Sequence, residues 1–154
     1  MPFYSRKSTR IPDYDYATPN YYFITICSHE KKCIFGKAGE LNSFGEIAQS
    51  AFGNIEKRFS NIRIDNMIVM PNHIHAIIQI SETDSPISLN QVIGLYKSGV
   101  SRIIHRMAPA LKIWQRSFYD RVIRNRREYE QIWNYVQYND QKWLEDCFYI
   151  AEDV

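Results

Sequence analysis

The sequence predicts an α+β fold, a mainly antiparallel sheet with two helices on one face and an extra helix near the C-terminus. Three observations carry this. Short runs at 21–27, 62–70 and 73–80 are rich in β-branched and aromatic residues and read as strands. Segments 43–59 and 87–107 place apolar residues three and four apart, as helices do. The elements then fall in the order strand, helix, strand, strand, helix, strand, helix.

Taken in turn, residues 1–19 mix Pro, Tyr and charge without a period and read as an N-terminal arm. "YYFITIC" is the first strand, and "HEKKCIFG" is a turn with a short extension. Ser43 is a plausible N-cap for a helix with Phe44, Ile47, Ala48, Ala51, Phe52, Ile55 and Phe59 on its apolar side. "IRIDNMIVM" and "HIHAIIQI" are two strands joined through Pro71-Asn72 as a hairpin. "ISLNQVIGLYKSGVSRIIHRM" is the second helix, weakened by Gly94 and Gly99 and ended by Pro109. "KIWQRSFYDRVI" is a fourth strand. "RREYEQIWNYVQYND" is a last helix with Tyr129, Ile132, Trp133 and Val136 inward, and residues 144–154 form a short acidic tail. The first six elements make a ferredoxin-like βαββαβ unit.

A chain of 154 residues suits one domain spanning 1–154. Eleven tyrosines, eight phenylalanines and three tryptophans exclude a disordered chain. No apolar run is long enough to span a membrane, and the basic N-terminus lacks the apolar stretch of a secretion signal. Three cysteines without a CxxC pair point to a reducing cytoplasm. "CSHEKKC" reads as a strand end and charged turn rather than a zinc site, because no second ligand cluster follows. Net charge is only +2, but Lys97–Arg127 holds nine bases against one acid (+8), and 128–154 one base against seven acids (−6). A basic block interleaved with aromatics suits a nucleic-acid backbone.

The chemistry concentrates in two places. On a strand, His73, His75, Ile77 and Gln79 share one face while Ile74, Ala76, Ile78 and Ile80 seal the core from the other. Two imidazoles at i, i+2 can converge on one divalent ion. On the last helix Tyr135 and Asn139 lie one turn apart, roughly 6 Å between Cβ atoms. Asn139 offers a neutral carbonyl oxygen as a third ligand, with the Tyr135 hydroxyl beside it. Tyr138, adjacent to Asn139, points about 100° away.

"MPNHIHAI", "LYKSGVSR" and "IWQRSFYDRVIRNRREYEQIWNYVQYN", in that order, resemble the single-tyrosine HUH transposases, and most closely their REP-associated tyrosine branch. The resemblance runs from about Tyr21 to Trp143. It implies that His73 and His75 bind the catalytic metal, that Asn139 completes the site, and that Tyr135 is the nucleophile. Two departures stand out. Relatives read Asn-Pro where this chain has Asn139-Asp140, which predicts that the helix runs on, and Tyr138 competes with Tyr135 as nucleophile.

The activity implied is metal-dependent cleavage and rejoining of single-stranded or hairpin DNA through a 5′-phosphotyrosine, in the bacterial cytoplasm at the nucleoid. Histidine with amide oxygen tolerates Mg²⁺ or Mn²⁺. Lys97, Arg102, Arg116 and Arg124 are the expected phosphate contacts, and Arg6, Lys7 and Arg10 an accessory DNA-binding arm. Tyr96, Trp114 and Phe118 are candidates to stack on bases. Monomer and homodimer remain equally compatible. Two other readings are a hairpin-binding protein without cleavage and a small phosphoesterase acting on nucleotides, for which the basic segment would have no use.

Overall fold

A computed structural model describes residues 10–151. Its sheet is built around two central strands, β1 (Asn20–Cys27) and β5 (His73–Ile80), which pair antiparallel from Asn20↔Ile80 to Cys27↔His73. β4 (Ile62–Val69) flanks β5, and β6 (Tyr119–Val122) flanks β1, giving the order β4-β5-β1-β6 with antiparallel neighbours throughout. This is the predicted βαββαβ order. β2 (Gly36–Lys37) and β3 (Glu40–Leu41) form a separate small ribbon inside the turn that follows β1. At Gly36 φ is +111°, and a Cβ there would stand 2.6 Å from the Asn42 nitrogen, so only glycine fits that corner.

Helices α1 (Ser43–Arg58) and α2 (Leu89–Ile104) cover one face of the sheet. Their Ala48, Phe52, Ile55, Val92, Ile93 and Val100 meet Ile24, Ile26, Ile74, Ala76, Ile78 and Ile80 in the main core. Helix α3 (Arg126–Gln137) covers the opposite face, where Ile132 and Val136 pack on Phe23, Ile77 and Ile123. β5 is therefore covered on both sides, which is why a strand carrying two histidines also reads as nearly continuous apolar sequence.

Several boundaries differ from the sequence reading. The α1 N-cap is Asn42, not Ser43, because the Asn42 side chain accepts from the Gly45 amide at 2.9 Å. α2 ends at Ile104, before Pro109, in a turn where both Met107 and Ala108 amides donate to the Ile104 carbonyl. The last strand is only four residues long. Ahead of it Ser117 has φ +68°, and the Lys97 ammonium donates to the carbonyls of Gln115 (3.0 Å) and Ser117 (2.6 Å). α3 does not run on past Asn139. Tyr138 (φ −112°, ψ 14°) ends it and a 3-10 helix, Asn139–Glu145, follows.

The N-terminal stretch is packed rather than loose from residue 10 onward: Tyr16 is buried in the main core and its carbonyl accepts from the Leu89 amide at 2.9 Å. The pairing of β4 with β5 shifts register between Ile64 and Asn66, a bulge that aims Asp65 at helix α3. Its Oδ2 accepts from the Tyr129 hydroxyl at 2.7 Å. No helix is long and apolar enough to cross a membrane among the described residues.

Candidate functional site

Period-2 alternation places His73 and His75 on the α3 side of β5, and α3 with the segment after it closes over them. Both histidines have no exposed surface. Their Nε2 atoms lie 3.1 Å apart. The other nitrogen of each ring is held: His75 Nδ1 lies 2.7 Å from the hydroxyl of Thr25, its cross-strand partner, and His73 Nδ1 lies 2.7 Å from Asn72 Oδ1. The Asn72 amide nitrogen donates to the carbonyls of Lys31 (3.1 Å) and Phe148 (2.8 Å), which turns its oxygen toward His73. His73 Nδ1 therefore carries the proton, and Nε2 keeps a lone pair for a ligand.

Two oxygens complete the group. Asp146 Oδ2 lies 3.5 Å from His73 Nε2, and His73, His75 and Asp146 each bring a ligand atom within 4.8 Å of the others. Asn139 is 2% exposed and adjoins both His73 and Tyr135. Its Oδ1 and Asp146 Oδ2 are buried without a hydrogen-bond partner among the described residues. Orphaned buried oxygens cost free energy unless something binds them. Two imidazole nitrogens and a carboxylate oxygen within 4.8 Å of one another, with an amide oxygen adjoining His73, form a donor set that fits a divalent cation. These side chains thus fit a metal, and its identity is left open by their chemistry.

The electrostatics agree. Burial lowers the pKa of His73, with Asp146 opposing, and takes His75 well below its ordinary value, with His73 adding to the effect. Both shifts favour the neutral imidazole, the form that ligates metal. For Asp146, burial acts upward but is outweighed by His73, and the carboxyl ends below its usual range.

Tyr135 projects from α3 to the same place, its ring centroid 5.3 Å from that of His75 and 6.0 Å from that of Phe23. Burial and then Asp146 raise its pKa, while Asn139 pulls it down. Tyr138 is 48% exposed at the end of α3 and faces solvent. The structure thus brings His73, His75, Asn139 and Tyr135 together. It adds Asp146, Thr25 and Asn72, which sequence reasoning missed. Asp146 lay in a segment read as an acidic tail, with no spacing relation to the histidines. That tail is in part a cover: Phe148 packs on His73 at 4.8 Å between centroids and Trp143 at 6.1 Å.

The expected DNA contacts divide. Arg102, Arg116 and Arg124 are exposed and make no ion pair among the described residues. Arg6 and Lys7 lie outside the described residues. Arg10 is not a free arm residue: it pairs with the fully buried Asp120 at 3.0 Å and lies over the Phe118 ring at 3.6 Å. Lys97 is spent on the two carbonyls named above. Tyr96 cannot stack on a base, being 1% exposed, stacked on Phe52 at 3.8 Å and donating to the Ala48 carbonyl. Phe118 is likewise core. Trp114 is wedged against Phe35 and Tyr96, its Nε1 donating to the Lys97 carbonyl at 3.1 Å. Their side chains were apolar and aromatic enough to fill the core beneath α2, and burial outweighed exposure.

Comparison with known proteins locates this arrangement. Residues 17–139 match the family model described as transposase IS200 like. An uncharacterised protein of Haemophilus influenzae is 33% identical over 168 aligned positions, covering 94% of this chain and 93% of that protein. Among solved structures, a REP-associated tyrosine transposase bound to a REP hairpin superposes with a TM-score of 0.66 at 18% identity, covering 86% of this chain and 73% of the other. A candidate transposase from Deinococcus radiodurans superposes with a TM-score of 0.54 at 13% identity, covering 83% and 95%.

Proposed function

The chain belongs to the IS200-like transposase family, and from that premise we propose that it cleaves and rejoins single-stranded DNA through a covalent bond to Tyr135. One observation carries the reading: two histidine Nε2 atoms stand 3.1 Å apart, and the Tyr135 ring centroid lies 5.3 Å from that of His75.

His73, His75 and Asn139 would hold a divalent cation, Mg²⁺ or Mn²⁺, with Asp146 beside them in the DNA-free chain. When bound, such an ion supplies Lewis-acid polarisation of a phosphate oxygen. The protein's own groups do the rest. Tyr135 Oη attacks phosphorus, a P–O bond forms to tyrosine as the bond to the 3′-oxygen breaks, and the proton lost by the phenol ends on the released 3′-hydroxyl. The phosphodiester's free energy is kept in the phosphotyrosine, so a 3′-hydroxyl can reseal the strand by the reverse steps. Burial raises the Tyr135 pKa in the closed chain, which disfavours the phenolate form of the nucleophile. The histidines have no exposed surface, so a phosphate reaches them only after the Trp143–Phe148 segment lifts. The substrate class, a DNA hairpin with unpaired flanks, is supported by the REP hairpin held by the structural relative.

The test is a denaturing gel of end-labelled single-stranded hairpin DNA incubated with the protein and Mn²⁺ or EDTA. A metal-dependent protein–DNA adduct is the expected outcome. Tight hairpin binding with no adduct would instead support a second reading, a hairpin-binding protein without cleavage, which the covering of the histidines by Phe148 favours.

A further inference from the structure

Some 9 Å along α3 from Tyr135, at 1.5 Å per residue, a cleft of about 490 Å³ opens where β1 begins, β6 ends and α3 starts. Its lining includes Tyr21, Ile123, Arg124, Asn125 and Tyr129. The two tyrosine rings stand edge to face at 5.3 Å. Tyr129 is pinned by its hydrogen bond to Asp65 at the β4 bulge, so its ring is held ready rather than free to collapse into the cleft. Buried Ile123 supplies an apolar floor. The rim is cationic. Glu128 is taken by Arg121 (2.7 Å) and Glu130 by Arg126 (3.1 Å), which leaves exposed Arg124 without an acidic partner among the described residues.

Aromatic walls, an apolar floor and an unpaired guanidinium at the mouth match the two halves of a nucleotide, a flat base and an anionic phosphate. We propose that this cleft is a nucleotide subsite. It takes one unpaired base of the DNA strand against Tyr21 and Tyr129 and sets the adjoining phosphate on Arg124. The proposal rests on the DNA-processing reading above. The separation of about 9 Å along α3 puts the bound nucleotide a few nucleotides of single strand from the bond that Tyr135 cuts. A base held there fixes which phosphate reaches the tyrosine, so the cleft contributes to choice of cleavage position as well as to affinity.

The experiment uses the full chain and a fluorescent DNA hairpin with single-stranded flanks, in which one abasic position is moved along the flank. Binding is read by anisotropy across a salt series, with adduct formation on the same DNA measured in parallel. An abasic site within three nucleotides of the cut should weaken wild type about tenfold. Tyr21→Leu should lose that position-specific penalty, and Arg124→Ala should lower the salt slope by about 1. Arg124 is exposed, so its replacement leaves folding intact, and a thermal melt checks Tyr21→Leu. An unchanged penalty in Tyr21→Leu together with an unchanged salt slope in Arg124→Ala would overturn the subsite. Wild type that forms the adduct but shows a flat abasic scan would overturn it while leaving the Tyr135 chemistry standing. Absence of both adduct and binding would bring down the DNA-processing reading itself, and the subsite with it.

Discussion

Thr25 and His75 face each other across β1 and β5, and the threonine hydroxyl lies 2.7 Å from His75 Nδ1. Asn72 does the same for His73. Each imidazole is thus gripped at one nitrogen and aimed with the other, and the two aims meet.

Loosening either grip should loosen the metal. Thr25→Val and Asn72→Ala are expected to weaken Mn²⁺ binding by about 10- to 100-fold while both histidines remain, as titration calorimetry of the DNA-free protein would show. Wild-type affinity in both variants would mean the contacts are only structural.

Orientation separates the two candidate nucleophiles, since Tyr135 packs beside His75 and Tyr138 faces solvent. Tyr135→Phe should abolish the covalent adduct and leave hairpin affinity near wild type, whereas Tyr138→Phe, altering a ring that faces solvent, should cleave normally. The reverse result on a denaturing gel would move the nucleophile to Tyr138.

Phe148 is 6% exposed against the two histidines. Phe148→Ala removes apolar contact worth about 3 kcal/mol in a closed core, so the covering segment should lift more often. Adduct formation at fixed Mn²⁺ should rise on the order of tenfold or more. A rate equal to or below wild type would show that the segment is not the barrier.

Arg10 balances a carboxylate with no exposed surface. Arg10→Ala should destabilise the fold by about 3 kcal/mol, the usual cost of breaking a buried ion pair from one side. Thermal denaturation would detect it without DNA. An unchanged melting temperature combined with weaker DNA binding would return Arg10 to the role the sequence suggested.

Burial raises the Cys27 thiol from 9.0 to about 12. Because the folded value lies above the unfolded one, the linked stability is whole below pH 9 and is lost as pH rises toward 12. At pH 8 a thiol reagent should label exposed Cys147 in the native protein and reach Cys27 only after denaturant is added. Rapid native labelling of Cys27 would contradict its place in the sheet.

Local periodicity determined a good deal. Alternation along "HIHAIIQI" put both histidines on one face and the isoleucines on the other. The i, i+4 spacing anticipated Asn139 near Tyr135, although α3 ends at Tyr138 and a 3-10 helix carries Asn139 there, and the order of apolar runs specified the βαββαβ sheet. Each of these is a short-range property, set by 3.6 residues per helical turn or two per strand repeat. Tertiary structure alone decided which face of the sheet α3 would cover, and with it that the histidines are buried. It also brought Asp146 to His73, closed Phe148 over the site, and joined Arg10 to Asp120 across 110 positions. Tyr96 and Lys97 drew the same local signal as Arg102, yet they point inward because α2 packs that side on the sheet. Contacts between distant segments follow from which surfaces can be desolvated together, and no period in a single chain encodes that.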